Sequence, residues 1–242
     1  MQNLMLHDIL YTQLDPMTMT WCATAQVRPI QPYYDQAADA HLSAPQIARH
    51  QRQQQRAGVR LLLQALLKRL DIVDCLDESN FPYRLTHSQY YVCFSHTNGN
   101  NKNATRIQND IENSDIPYVA VAVAVAVAVV ISRHRASGID IEVNAVKWQV
   151  AKRFYHQKEL TILRALPIMQ RNSAIRWLWQ IKESFIKIHQ YTLAQGLGMD
   201  YSAIIYDLLN QPIEILPLLT LTDDKTNYRI SVISSQQTVI VY

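Results

Sequence analysis

An α+β fold is predicted for this chain of 242 residues by three observations. Leu62, Leu63, Leu66, Leu67 and Leu70 recur at helical spacing. From Tyr118 to Val130 valine and alanine alternate with the period of two expected of a strand. Two further helical stretches, Val150 to Leu166 and Ser173 to Tyr191, then lead into strand-like segments at Ile213 to Leu221 and Tyr228 to Val241, which would complete a second sheet.

Taken in order, the segment up to about residue 40 mixes Tyr, Trp and Thr with Pro16, Pro29 and Pro32, which reads as one or two strands with turns. Ser43, followed by Pro45 and Gln46, is a helix-start signal, and the helix it opens runs to about Leu70. Arg49, Arg52, Arg56 and Arg60 line up along it as a basic ridge, either a solvated face or a source of one or two phosphate-reaching arginines. Tyr90 to Phe94 is a predicted strand that ends in Ser95-His96-Thr97 and the turn Asn98-Gly99. Asn100 to Asp115 is rich in Asn and Asp and is expected to be an exposed loop. The valine–alanine strand follows, with one valine face and one alanine face able to pack closely. Ser132 to Ser137 is expected to turn it, as a hairpin, into a strand beginning at Gly138.

Composition narrows the function classes. Hydrophobic residues make up 48% of the chain, enough for a sizeable core, and the net charge of +3 is too small for the dense basic stripe of a nucleic-acid binder. It does favour an acidic or phosphorylated partner. Cys22, Cys75 and Cys93 are widely spaced and include no Cys-x-x-Cys pair, so the reducing cytosol is the expected compartment. Met1 to Leu14 has no Lys or Arg ahead of its apolar residues, and no export signal is expected. The apolar run Val119 to Ile131 is shorter than the ~20 residues of a membrane-spanning helix.

Two segments carry chemistry. In Gly138-Ile139-Asp140-Ile141-Glu142, strand alternation puts Asp140 and Glu142 on one face. In Trp179-Gln180-Ile181-Lys182-Glu183-Ser184-Phe185-Ile186-Lys187, helical spacing puts Glu183 and Lys187 on one face while Ile181, Phe185 and Ile188 point to a core. Each alone is compatible with a solvated surface. Together they can surround a magnesium ion and a phosphate-bearing substrate, because magnesium takes one or two carboxylates and completes its shell with water and phosphate oxygens. A magnesium-dependent nuclease is disfavoured: such sites want Glu-x-Lys on one strand, whereas Asn144 stands two after Glu142 and the Glu183–Lys187 spacing is helical.

These motifs, in this order and spacing, resemble those of the 4'-phosphopantetheinyl transferases of the surfactin-synthetase-activating type. Phe94-Ser95-His96-Thr97 is similar to that family's Ser-His segment, Ala151-Lys152-Arg153-Phe154 to its Ala-Lys-Arg-Phe element, and the likeness extends over roughly Phe81 to Gly198. The resemblance implies a pseudo-twofold α+β fold of two halves, 1–134 and 135–242, each a small antiparallel sheet packed on a long helix, in a monomer with coenzyme A in the cleft between them. It further implies transfer of the phosphopantetheine arm of coenzyme A to a serine of an apo acyl or peptidyl carrier protein. Asp140, Glu142 and Glu183 would hold magnesium, and Glu183 would also act as general base, directly or through a water. Lys187 would balance phosphate charge, Lys182 would contact the phosphate or the departing nucleotide, and Ser95 and His96 would hold the 3'-phosphate or pyrophosphate. Phe81-Pro82-Tyr83 stands where the family has a lysine before proline, and Arg84 or the Arg56/Arg60 ridge would replace that charge. Gln180 stands where a small residue is usual. A module that binds coenzyme A or a carrier protein without catalysis is the remaining alternative.

Overall fold

Two antiparallel sheets pack face to face, and each carries a long helix on its outer side. The computed structural model describes residues 4–29, 43–98, 125–210 and 218–242. The predicted loop over 100–115, residues 118–124 of the valine–alanine run and 213–217 of a predicted strand lie outside them. Among the described residues the first sheet has the order β1-β2-β6-β5-β4-β3, with β1 Leu4–Asp15, β2 Thr20–Pro29, β3 Leu76–Asp77, β4 Arg84–Leu85, β5 Tyr91–Asn98 and β6 Val125–Ser132. The second has the order β7-β10-β9-β8, with β7 Gly138–Ile141, β8 Leu219–Asp223, β9 Tyr228–Ile233 and β10 Thr238–Val241. The fold class is thus α+β.

Helix α1, Ala44–Arg69, starts where Ser43 and Gln46 cap one another: Gln46 Oε1 accepts from the Ser43 amide and hydroxyl, both at 2.8 Å. Val59, Leu62, Leu63, Leu66 and Leu67 form its buried stripe. They meet Ala23, Ala25, Val27, Val125, Val127, Val129 and Ile131 of the first sheet. The other face of the same strands presents Cys22, Cys93, Ala128 and Val130 to Ile139, Ile141, Ile233 and Ile240 of the second sheet. The valine face of β6 therefore packs on the helix, and the face with the small Ala128 lets the second sheet come close.

Beyond the second sheet lies the long helix α4, Ile168–His189, whose Ala174, Ile175, Leu178, Ile181 and Phe185 pack on Ile230, Val232, Val239 and Val241. Contact between α4 and β7 is direct, because a Cβ on Gly138 would fall 2.1 Å from the Ser184 carbonyl oxygen. This is the reason a glycine opens the acid-bearing strand.

Four sequence expectations are corrected. β6 and β7 are not a hairpin: β6 is flanked on both sides by β2 and β5, so the chain leaves the sheet after Ser132 and β7 pairs instead with β10, Asp140 opposite Val239. The helix expected over Val150 to Leu166 is two, α2 Trp148–Phe154 and α3 Gln157–Ala165. Tyr155 between them is extended, its hydroxyl donating to the Ile175 carbonyl at 2.7 Å, and His156 caps α3. The expected strand over Tyr228 to Val241 breaks at a 3-10 turn, Ser234–Gln236, followed by Gln237 at φ 47°. Finally, Ser95-His96-Thr97 lies within β5 rather than beyond its end. No helix among the described residues is long and apolar enough to cross a membrane.

Replacing Gly138 by alanine forces α4 away from β7, a backbone clash that no rotamer relieves. A loss of about 3 kcal/mol or more is expected in chemical denaturation, at the upper end of overpacking costs. A loss below about 0.5 kcal/mol, the range of an ordinary surface substitution, would contradict the close approach.

Candidate active site

β5, β7 and α4 converge on one buried point. The Ser95 hydroxyl on β5 donates to Asp140 Oδ1 at 3.0 Å and accepts from the Ile141 amide at 3.1 Å. Lys187 reaches in from α4, its Nζ donating to Asp140 Oδ1 at 2.9 Å, to the Ile139 carbonyl at 2.7 Å and to Ser95 Oγ at 3.2 Å. Two strands from different sheets and one helix are thereby fastened through a single carboxylate. Burial alone would lower the Lys187 pKa, but Asp140, with Cys93 and Glu183, more than offsets this and the net shift is upward.

Glu142 sits one pleat further on, where Thr97 Oγ1 donates to its Oε1 at 3.1 Å and the Asn144 amide and side-chain nitrogen donate at 2.8 and 3.1 Å. Asp140 and Glu142 share a face, turned onto Ser95 and Thr97 of β5. Glu183 comes from α4 on the same helical face as Lys187. Its pKa is raised, first by burial and then by the charges of Asp140 and Glu142, with Lys187 acting in the opposite sense. Three carboxylates and one ammonium therefore share one electrostatic environment. Among the described residues, however, no group of three or more His, Cys, Asp or Glu side chains is gathered at metal-ligand spacing.

The other predicted site residues lie elsewhere. Ser95 and His96 project to opposite faces of β5, so they do not share one phosphate, and the bonds of Ser95 are made to Asp140, Ile141 and Lys187. His96 feels Arg56 of α1; its pKa is lowered, chiefly by desolvation and next by Lys187. Arg60 turns away onto Glu78, with its Nε 3.1 Å from Glu78 Oε2, and also donates to the Arg56 carbonyl at 2.7 Å. Arg84 is engaged with Tyr91, whose hydroxyl it bonds at 2.7 Å and whose ring it covers at 4.1 Å. Phe81 makes an edge contact with Tyr83, ring centroids 5.2 Å apart, and its carbonyl accepts from Gln190 Nε2 at 2.9 Å. Gln180, fully buried, donates to the Asp140 carbonyl at 3.3 Å and the Gln237 carbonyl at 2.6 Å, a second tie between α4 and β7.

Lys182 is the clearest departure from expectation. It points away from the cleft into the core, with its side chain and that of its partner Glu159 both 0% exposed and Nζ 3.0 Å from Glu159 Oε2. Its ammonium also donates to the Leu197 carbonyl at 2.8 Å and to the Met199 carbonyl. Glu159 in turn accepts from the His156 amide at 3.0 Å and the Tyr201 amide at 2.9 Å, so the pair is fully hydrogen-bonded. The signal was available in the spacing: Leu178, Ile181, Lys182 and Phe185 fall on the core stripe of α4, whereas Glu183 and Lys187 fall beside it. Glu159, Thr97 and Asn144 carry no sequence signal beyond their polarity.

Residues 136–240 match the family model of the 4'-phosphopantetheinyl transferase superfamily. No curated protein and no solved structure matches the chain. The matched stretch is less than half of the chain, and it contains Asp140, Glu142, Glu159, Lys182, Glu183 and Lys187.

Two outcomes are expected. Lys182→Ala leaves the Glu159 charge buried and unpaired, a loss of about 3–5 kcal/mol in urea denaturation, and the double variant Lys182→Met with Glu159→Leu recovers most of it. Glu183 behaves oppositely, because its folded pKa stands above the unfolded value of about 4.3. The stability it contributes is present below that unfolded value, is lost as pH rises through the folded pKa, and stays lost above it. In chelator-treated protein Glu183→Gln therefore melts higher than the parent at pH 8, and the difference closes toward pH 4. An equal or lower melting point at pH 8 would contradict the crowding of the three acids.

Proposed function

We propose that this chain transfers the 4'-phosphopantetheine arm of coenzyme A to a serine hydroxyl of an apo acyl or peptidyl carrier protein, releasing adenosine 3',5'-bisphosphate. The observation that carries this reading is the convergence of Asp140, Glu142, Glu183 and Lys187 on one cleft, within the stretch matched by the family model. In the reaction the serine oxygen forms a bond to the phosphorus that bears the arm, and the bond from that phosphorus to the bridging oxygen of the pyrophosphate breaks. The serine proton must leave and the nucleotide phosphate must carry away negative charge.

Glu183 suits the first need, because burial and two neighbouring carboxylates raise its affinity for a proton. It takes the serine proton directly or through a water. Lys187 suits the second, since its ammonium is partly buried, stays charged through the raised pKa and lies against the phosphate-facing acids. Ser95 and Gln180 are positioning residues, holding the Asp140 side chain and backbone. His96, on the opposite face of β5 from Ser95, and Arg56 of α1 would meet the 3'-phosphate on the α1 side of that strand.

Asp140, Glu142 and Glu183 are all carboxylate, the donor chemistry of a hard divalent cation, and Glu183 feels the charges of the other two, although the three side chains as they stand are not gathered at metal-ligand spacing. Magnesium held there would supply charge neutralisation for the pyrophosphate. The two sheet-and-helix units are read as the halves 1–134 and 135–242 of a pseudo-twofold monomer of the surfactin-synthetase-activating type, with coenzyme A between them. The unpaired cysteines Cys22, Cys75 and Cys93 suit the cytoplasm.

Incubation with coenzyme A, magnesium and a panel of apo carriers is expected to yield the phosphopantetheine adduct by intact-mass spectrometry. Asp140→Ala is expected to cut the rate on the order of 10²–10³-fold, the size of effect seen when one charge-stabilising group is removed. Magnesium should also raise the melting temperature of the parent protein more than that of Asp140→Ala. A folded Asp140→Ala variant with unchanged transfer would overturn the assignment.

A further inference from the structure

Between the two sheets, beside the turn that joins β9 to β10, lies a cavity of about 440 Å³, a volume in the range of small-ligand sites. Its apolar wall is aliphatic, built from Leu10, Ala126, Ile141 and Val143, and among the described residues no aromatic ring lines it. Strand neighbours alternate in direction, so Asp140 turns to the cleft and Ile141 to this cavity. The two concavities therefore use opposite faces of β7.

Asp8 reaches the cavity through a break in the sheet register. Leu6 pairs with Val27 and His7 with Gln26, but Leu10 pairs with Thr24, so over this stretch β1 carries one residue more than β2. In an unbroken strand Asp8 would follow Leu4 and Leu6 onto α1. The bulge gives that place to Ile9, which packs with Leu4, Leu6 and Tyr11 against the α1 core, and leaves Asp8, at φ 53°, lining the cavity. Aspartate takes this left-handed conformation more readily than most residues. Neither Asp8 nor Arg28 has an ion pair among the described residues.

The polar groups of the cavity divide into donors and acceptors. The Thr24 hydroxyl donates to Gln236 Oε1 at 2.7 Å and Arg28 donates to Gln26 Oε1 at 3.1 Å. With both oxygens engaged, each of these amides keeps its NH2 group as a donor. Arg28, exposed and on the same face of β2 as Gln26, adds a guanidinium at the rim. The acceptors are the Asp8 carboxylate and Gln237 Oε1, an atom that is buried without a partner. Gln237 is fixed through its backbone, whose carbonyl accepts from Gln180 Nε2 at 2.6 Å and from the Glu142 amide at 3.2 Å. An unpaired buried amide oxygen is costly, and a ligand N–H offsets that cost.

We infer that this cavity is a second binding site, for a free aliphatic amino acid such as leucine. Asp8 and Gln237 Oε1 take the ammonium, while the NH2 groups of Gln26 and Gln236, with the Arg28 guanidinium, take the carboxylate. The side chain lies on Leu10, Ala126, Ile141 and Val143. A simple amine would leave the donors unmatched, and a fatty acid would leave Asp8 and Gln237 unmatched. Only a zwitterion with an apolar body meets both sets and the wall. The site involves no covalent step and stands independently of the transfer reading.

The test is isothermal titration calorimetry of the full chain with L-leucine, its deaminated analogue isocaproate and its decarboxylated analogue isoamylamine. Leucine is expected to bind with a Kd of about 1 mM or tighter. Each analogue is expected to bind about tenfold or more weakly than leucine, since each gives up one set of charge-assisted bonds. Asp8→Asn keeps a residue that tolerates the left-handed backbone but removes the charge. It is expected to weaken leucine about tenfold and leave isocaproate within about twofold, whereas Arg28→Gln weakens leucine and isocaproate and spares isoamylamine. Hydrogen–deuterium exchange should place the added protection in residues 5–10, 24–28 and 234–238. The site is overturned by absence of leucine binding up to about 20 mM, by analogues that bind as tightly as leucine, or by leucine affinity unmoved in a folded Asp8→Asn variant. Protection confined to 183–190, on the cleft side, overturns it as well. Phosphopantetheine transfer enters none of these readouts, so the site can fail without touching the proposed function.

Discussion

Asp140 is bonded at once by Ser95 from the first sheet and Lys187 from α4, and the rest of the architecture is arranged so that this largely buried carboxylate is paired and hydrogen-bonded. A buried carboxylate is tolerated only when it is paired and hydrogen-bonded. Meeting that requirement demands three close approaches. Ala128 keeps the facing sheets near each other, Gly138 brings α4 onto β7, and Gln180 holds the Asp140 backbone to the helix. What results is a cleft wall that carries Glu142, Glu183 and Lys187 together.

Helix α4 does two jobs with adjacent residues. Lys182 and Glu183 differ by one position, about 100° around the axis, and that angle separates a core ion pair from a cleft carboxylate. The core pair is neutral as a unit and fully bonded, joining α4 to α3 and to the segment before Tyr201. Glu183 is left on the other side with two like charges for neighbours, a state that raises its proton affinity and makes it receptive to cations. The charge of the core pair is neutralised inside, and that of Glu183 is left crowded by like charges at the cleft.

How far the sequence discloses this depends on the periodicity behind each inference. The leucine stripe of α1, the period-two run of β6 and the shared face of Asp140 and Glu142 follow from one element's own geometry, and they are found in the structure. The charge of Lys182 suggests a phosphate, but its place on the apolar stripe of α4 sends it to the core. Ser95 and His96 are neighbours in sequence, but a strand sends neighbours to opposite faces. The break at Tyr155 could not be anticipated, since it depends on a hydroxyl meeting a carbonyl twenty residues on. Arg60 finds Glu78 on a segment whose position only the tertiary fold decides.

The central claim is that coenzyme A occupies the cleft where β5, β7 and α4 meet. Hydrogen–deuterium exchange of the whole chain, with and without coenzyme A and magnesium, reads that directly. Added protection is expected in residues 95–98, 138–144 and 183–190, with little change at β8 on the far edge of the second sheet. Protection confined to other segments, with these three unchanged under saturating coenzyme A, would contradict the account.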